Sequence, residues 1–285
     1  MSDSNLTIAI VGATGAVGAI ALELLADRAY PAERIIVMAS SRSIGKKLPY
    51  LDTELTVIEA VPDAFEGVDV AFISVSAEVS RVLAPEAVKR GALVIDDGSA
   101  FRMDPAVPLV VPEVNGADLE WHQGIVSIPN CTTTPLAMSL AALGQAAQVT
   151  RVTVATYQAV SGTGAAAVRE LHEQTADMLA GRPTNPKEYP HRIAFNVLPQ
   201  VDDFAEDGYT GEEHKMINET RKILHDTDIA ISPTCVRVPV PVTHSEAVQV
   251  EFERPISPEE ATRLLSEFPG ITVVDEPQAS VYPMP

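Results

Sequence analysis

The sequence predicts an α/β chain in two parts: an N-terminal doubly wound parallel sheet, residues 1–128, and a C-terminal α+β half, residues 129–285, with a mostly antiparallel sheet. Three observations carry this. A buried-strand pattern at Leu6–Val11 runs straight into the loop GATGAVG and an Ala/Leu-rich helix. Apolar runs then alternate with helical spacing as far as Ile95, the order expected of β-α-β units. After Pro129 the texture changes to a different mixture of long strands and helices.

In order, the first part reads as a strand at Leu6–Val11, a helix at Ala16–Asp27 and a strand at Arg34–Met38. A strand at Val70–Val75, a helix at Val79–Arg90 and a strand at Leu93–Ile95 follow. In the second part a helix opens at Cys131. It is followed by a β-rich run at Arg151–Ala159, a helix at Ala165–Leu179 and a proline-containing loop at Arg182–Pro190. Glu212–His225 has helical spacing with Met216, Ile217, Ile223 and Leu224 on its buried face, and Ile229–Val242 and Ala247–Phe252 read as strands. No internal repeat or low-complexity tract interrupts the pattern.

The 285 residues are 46% hydrophobic, enough for two cores without a metal or disulfide staple. No apolar stretch approaches the ~20 residues that span a bilayer, and the start, MSDSNLTIAIVG, lacks a basic leader, so a cytoplasmic location is expected. A formal charge of −19, from 20 basic and 39 acidic residues, speaks against nucleic acid or anionic membrane as partner. An anionic small-molecule substrate therefore needs a local cluster of cations. Two cysteines build no scaffold, and no metal-ligand spacing is present.

Gly12, Gly15 and Gly18 stand where a strand hands over to a helix, in G-x-x-G-x-x-G spacing, as in a Rossmann-like dinucleotide site. Glycine lets the backbone approach a pyrophosphate, and the helix start offers free N–H groups and a positive dipole end. A glycine-rich turn without a ligand is the plainer alternative. NAD-preferring sites place an acidic residue after the second strand. Here that stretch is Ser40, Ser41, Arg42 and Ser43, whose hydroxyls and guanidinium suit a 2′-phosphate, so NADP is the expected cofactor.

Cys131 lies in the run IPNCTTTP, where two prolines bracket a helix start and Asn130 is a plausible cap. Helix N–H groups stabilise a thiolate, which points to a nucleophile. Cys235, within an apolar strand, reads as a small core residue. The proton partner is one of His122, His172, His191, His214, His225 and His244. Spacing does not rank them, although His244 ends a strand-like run whereas His172 and His225 read as helix-surface residues.

Seven motifs in order then resemble the aspartate-semialdehyde dehydrogenases over essentially the whole chain. They are GATGAVG at Gly12, SSRSIGK at Ser40, DDGSAFRM at Asp96, PNCTTTP at Pro129, YQAVSGTG at Tyr157, EEHKMINET at Glu212 and VRVPVPVTHSEA at Val236. The resemblance implies that Cys131 forms the thioacyl-enzyme, His244 is the general acid/base and Gln158 orients the reacting groups. It assigns Arg237 to the substrate α-carboxylate, Glu212 to its α-ammonium, and Arg102, Lys215 and Asn130 to phosphate. It gives Gly12, Thr14, Gly15, Ala16, Val17, Ser40, Ser41, Arg42, Ser43, Ser161 and Gly162 to the cofactor. The implied reaction is NADPH-dependent conversion of 4-phospho-L-aspartate to L-aspartate 4-semialdehyde, in lysine, threonine, methionine and isoleucine biosynthesis, by a homodimer.

The chemistry suits those roles. A guanidinium holds a carboxylate through two parallel hydrogen bonds. Glu212 and Lys215, three apart, reach one cleft from a single helical turn. The family continues past a tyrosine-proline stretch like Tyr282-Pro283 with a strand and a helix returning to the nucleotide domain. That segment is expected to be missing here, which makes an inactive nucleotide-binding or assembly module one competing reading. The other is N-acetyl-γ-glutamyl-phosphate reductase, against which Glu212 argues, because its carboxylate would face an uncharged acetamide.

Overall fold

Alternation along the first strand decides how the first half is layered. In β1 (Leu6–Val11), Ala9 and Val11 pack into one apolar cluster while Ile8 and Ile10 pack into another. A strand buried on both faces is what a parallel sheet with helices on either side requires. A computed structural model describes residues 6–285; the opening residues MSDSN, read above as lacking a basic leader, lie outside them.

After β1 come α1 (Ala16–Asp27), β2 (Ala32–Ala39), β3 (Lys47–Tyr50), β4 (Thr53–Thr56), β5 (Ile58–Glu59), β6 (Val70–Ile73), α2 (Ala77–Lys89) and β7 (Leu93–Asp96). Then α3 (Pro112–Asn115) precedes β8 (Ile125–Ser127). Among the described residues six strands form an all-parallel sheet in the order β5-β2-β1-β6-β7-β8. The chain leaves β1 first to one side and then to the other, so the topological switch point lies at the carboxyl ends of β1 and β6. Leu83, Ala84 and Ala87 of α2 pack with Ala9 and Val11, and Leu22 of α1 packs with Ile8 and Ile10. The β3–β4 hairpin escaped the sequence pattern: its strands are four residues each, one carries Pro49, and its turn uses Leu51 at positive φ in place of glycine.

Chain contacts divide the molecule into two units, the second comprising Val111–Gly116 and everything from Asn130 onward. The short helix α3 therefore belongs with the second unit although it precedes β8 in the chain.

The second unit contains α4 (Thr133–Gly144), β9 (Val149–Gln158), α5 (Ala165–Leu179), α6 (Gly211–Leu224), β10 (Ala230–Arg237), β11 (Ser245–Phe252) and α7 (Pro258–Glu267). Its sheet has the order β10-β9-β11 and is mixed, not mostly antiparallel: β10 runs parallel to β9, and β11 antiparallel to it. The cause is the crossover through α5 and α6, which returns the chain to β10 in the direction of β9. The strand expected to reach Val242 stops at Arg237, because Pro239 and Pro241 cannot donate to a ladder.

One face of β9, with Val152, Val154, Thr156 and Gln158, is buried; its valines join Leu136 and Leu140 of α4 and Met216 of α6 in a core. A capping box fixes the start of α6, Thr210 and Glu213 each accepting the other's backbone N–H. Met216 and Ile223 are fully buried and Ile217 and Leu224 partly so, as their spacing predicts. The same helix also buries Glu212 and Glu219, which apolar periodicity does not reveal.

Candidate active site

In the first unit, Gly12 has φ +88°, and a Cβ there would lie 2.1 Å from the carbonyl oxygen of Ser74, just past β6. At Gly18 a Cβ would lie 2.4 Å from the Gly12 carbonyl oxygen, so this glycine lets the helix seat against the loop. Gly12 and Ala13 both donate to the Met38 carbonyl. Helix α1 starts at Gly15 with no side-chain cap and no acidic residue in its first turn, and Thr14, Gly15, Ala16 and Val17 are exposed. That arrangement leaves N–H donors for a phosphate group. A 3-10 turn, Ser41–Ser43, follows β2; Ser40, Ser41 and Arg42 are exposed, whereas Ser43 is buried with its hydroxyl 3.5 Å from that of Thr14. No carboxylate stands among these residues.

Arg102 also belongs to the first unit. It is buried, and its guanidinium donates to the carbonyls of Ile128 (3.0 Å) and Asp97 (2.8 Å). Backbone acceptors at two of its nitrogens give the cation a fixed orientation.

The remaining predicted catalytic and substrate residues lie in the second unit. Regular helix begins at Thr133, two residues later than expected, with Cys131 exposed in the turn before it. Asn130 is the effective cap. Its carbonyl accepts from Thr134 N–H at 3.1 Å, and its Oδ1 accepts from Thr132 N–H at 2.9 Å and the Thr132 hydroxyl at 2.6 Å. Cys131 therefore sits at the positive end of α4, as the prolines and Asn130 predicted. Cys235 is fully buried against Met216, and burial above all pushes its thiol up to about 12.

Glu212 is the hub. Its buried carboxylate accepts from Gln158 Nε2 at 2.8 Å, from Asn130 Nδ2 at 3.1 and 3.2 Å, and from Lys215 Nζ at 3.2 Å. Gln158 is held at its other end by the Thr156 hydroxyl, which donates to Oε1 at 2.9 Å. Lys215 also reaches Asp202 at 2.8 Å. Burial works against the Lys215 cation, but the hydrogen bond it donates to Asp202 and the charges of Glu212 and Asp202 outweigh it and raise its pKa.

Arg237 pairs with Gln158 across β10 and β9 and is buried. One guanidinium nitrogen donates to Ala159 O at 2.7 Å, while Nε is buried without a partner among the described residues. A buried guanidinium with an unmet donor is ready for a carboxylate ligand. His244 Nδ1 accepts from Ala159 N–H at 3.0 Å, so the neutral ring carries its proton on Nε2. Burial first, then Arg237, lowers the His244 pKa, with Glu212 opposing. Gly162 lies against both residues: a Cβ there would be 3.1 Å from Arg237 Nη1 and 3.4 Å from His244 Nε2. Ser161 donates its N–H to Pro241 O, tying the same turn to the loop that carries His244.

Sequence reasoning missed Glu219, Asp202, Thr156 and Tyr189. Glu219, buried, accepts the backbone N–H of Asn130 at 2.7 Å, so α6 grips the cysteine turn through two carboxylates, Glu212 and Glu219. Their seven-residue spacing, two helical turns, was the available signal.

A fold of this kind, with an exposed cysteine at a helix start beside such a polar network, defines a dehydrogenase of the semialdehyde class. The family model "Semialdehyde dehydrogenase, NAD binding domain" matches residues 7–122, and "Semialdehyde dehydrogenase, dimerisation domain" matches residues 140–285. The aspartate-semialdehyde dehydrogenase of Bacillus subtilis (strain 168) is 48% identical over 99% of this chain and 84% of its own. Aspartate semialdehyde dehydrogenase II from Vibrio cholerae, in a crystal structure complexed with ASA, is 40% identical with a TM-score of 0.93, covering 95% of this chain and 81% of its own. The Candida albicans enzyme, solved with NADP, is 26% identical with a TM-score of 0.71, covering 93% of this chain and 77% of its own. This chain belongs to the aspartate-semialdehyde dehydrogenase family. No described helix is long and apolar enough to cross a membrane.

Proposed function

We propose that this chain uses NADPH to convert 4-phospho-L-aspartate to L-aspartate 4-semialdehyde through a thioester on Cys131. The observation that carries the reading is the Glu212 network, which gathers Asn130, Gln158 and Lys215 beside the cysteine turn. The Vibrio cholerae relative's complex with ASA supports the substrate, and the Candida albicans relative's complex with NADP, together with Ser40, Ser41 and Arg42, supports the cofactor.

In this reading the Cys131 thiolate attacks the acyl carbon, the C–O bond to phosphate breaks, and inorganic phosphate leaves with the bonding pair. Lys215 offsets the charge of that leaving group, and the resemblance assigns Arg102 to the same phosphate. Arg237 holds the α-carboxylate, using the Nε–H that has no protein partner. Glu212 meets the α-ammonium, exchanging hydrogen bonds with its amide neighbours for a charge-assisted one. When bound, the reduced nicotinamide supplies the hydride. His244 presents Nε2–H to the oxyanion that forms at the thioester carbon, and N–H groups at the start of α4 add to it. As the adduct collapses, the C–S bond breaks and the thiolate is restored. Catalysis needs Cys131 reduced, which fits a cytoplasmic location. The dimerisation-domain match supports a homodimer.

The test is phosphate-dependent formation of NADPH from L-aspartate 4-semialdehyde and NADP. The Cys131→Ala variant is expected to show none; wild-type turnover in that variant, or a preference for the N-acetyl-γ-glutamyl substrate, would sink the reading.

A further inference from the structure

We propose that Tyr189 is a positioning residue for Arg237, setting the plane of its guanidinium and so the affinity for the substrate carboxylate. The proposal rests on the reading of Arg237 given above.

Arg237 is a cation with few constraints. Among the described residues a single hydrogen bond, to Ala159 O at 2.7 Å, anchors its guanidinium, and Nε has no partner. One anchored nitrogen still lets the plane swing about that contact, and a fork that swings loses bidentate geometry. The second constraint is the ring of Tyr189, whose centroid lies 5.9 Å from the guanidinium carbon, within cation–π range.

The ring is itself held from both ends. Its hydroxyl donates to Thr163 Oγ1 at 2.8 Å, on the turn that brings Gly162 against Arg237. The backbone on either side of Tyr189 is bracketed by two buried residues one turn apart on α5. Glu170 accepts from Lys187 N–H (2.7 Å) and Glu188 N–H (2.8 Å), and Gln174 Oε1 accepts from Ile193 N–H (2.9 Å) and Ala194 N–H (3.2 Å). Gln174 Nε2 then donates to Glu170 Oε1 at 3.0 Å, locking the brackets together. Burying a carboxylate is costly unless its hydrogen bonds are met, and here they are met by the backbone of the segment that carries Tyr189. A polar clamp so placed fixes the ring without touching the substrate.

The test is calorimetric binding of L-aspartate 4-semialdehyde and, separately, of inorganic phosphate. It uses the full chain carrying Cys131→Ala, so that no thiohemiacetal forms. Tyr189→Leu is expected to weaken semialdehyde binding about tenfold and leave phosphate binding within twofold, while Tyr189→Phe, which keeps the ring but loses the phenol anchor, weakens semialdehyde binding only about threefold and leaves phosphate binding within twofold. In an Arg237→Lys background, with no fork to orient, the tenfold effect is expected to shrink to about twofold. An unchanged semialdehyde affinity in Tyr189→Leu overturns the proposal, as does an equal loss in both backgrounds. If Tyr189→Leu does not fold, Thr163→Val decides: loss of the phenol anchor should weaken semialdehyde binding about threefold, and no change there overturns the proposal. Unaltered semialdehyde binding in Arg237→Lys alone would instead refute the role given to Arg237.

Discussion

Asn130 and Glu212, 82 residues apart in the chain, are joined through the Asn130 side-chain amide, which lies 3.1 and 3.2 Å from the two carboxylate oxygens. The same side chain turns its oxygen to the Thr132 N–H and hydroxyl. One residue thus closes the helix start next to Cys131 and satisfies a buried carboxylate.

Asn130→Ala should therefore be costly twice over. Loss of the cap and of a donor to Glu212 is expected to destabilise the chain by about 2 kcal/mol. Turnover should fall on the order of 100-fold, because the thiol is no longer held in register. Urea denaturation and steady-state assays read the two effects. A stability change within about 0.5 kcal/mol, the range typical of an uninvolved surface site, would show that the clamp does not matter.

The glycines of the dinucleotide loop separate by geometry. Gly12→Ala combines a positive φ with a methyl 2.1 Å from a carbonyl oxygen, whereas the nearest atom to a Gly15 methyl is 3.2 Å away. Gly12→Ala is expected to destabilise the protein by about 3 kcal/mol or more and to abolish NADPH binding, with Gly15→Ala clearly milder. Thermal melts with and without NADPH compare them; equal effects would mean that contact with Ser74 is not what constrains the loop.

Glu246 supplies a pH dependence. Its Oε1 is buried without a hydrogen bond to any described residue, and burial pushes the carboxyl up from 4.5 to about 8. As pH rises from 4.5 towards 8 the unfolded chain gives up this proton first, so the stability this group contributes is lost across that window and changes little above it. Glu246→Gln resembles the protonated form and should match the parent near pH 4.5 yet exceed it near pH 8, by on the order of 2 kcal/mol. Chemical denaturation across that range measures the gap, and a gap that does not grow with pH would refute the buried-carboxyl account.

The nucleotide half was legible because its signals are local. β1 and α1 fall where their periodicity puts them, and Gly12 and Gly18 stand at the two close approaches that exclude a side chain. Asn130 and the flanking prolines likewise announced a helix start, although the regular helix begins two residues beyond Cys131.

The longer, strongly periodic elements, the strand-to-helix glycine turn and the cysteine at a helix start are all written locally in the sequence, since period, capping and φ preference act over a few residues. Only the tertiary structure decided that β10 runs parallel to β9, because an alternation pattern carries no strand direction. It likewise decided that Glu219 closes on Asn130 across 89 residues and that Tyr189 faces Arg237. In a helical pattern Glu219 reads as a solvated charge and in a proline-containing loop Tyr189 reads as surface; Glu219 is buried and Tyr189 half-buried against partners the local sequence does not contain.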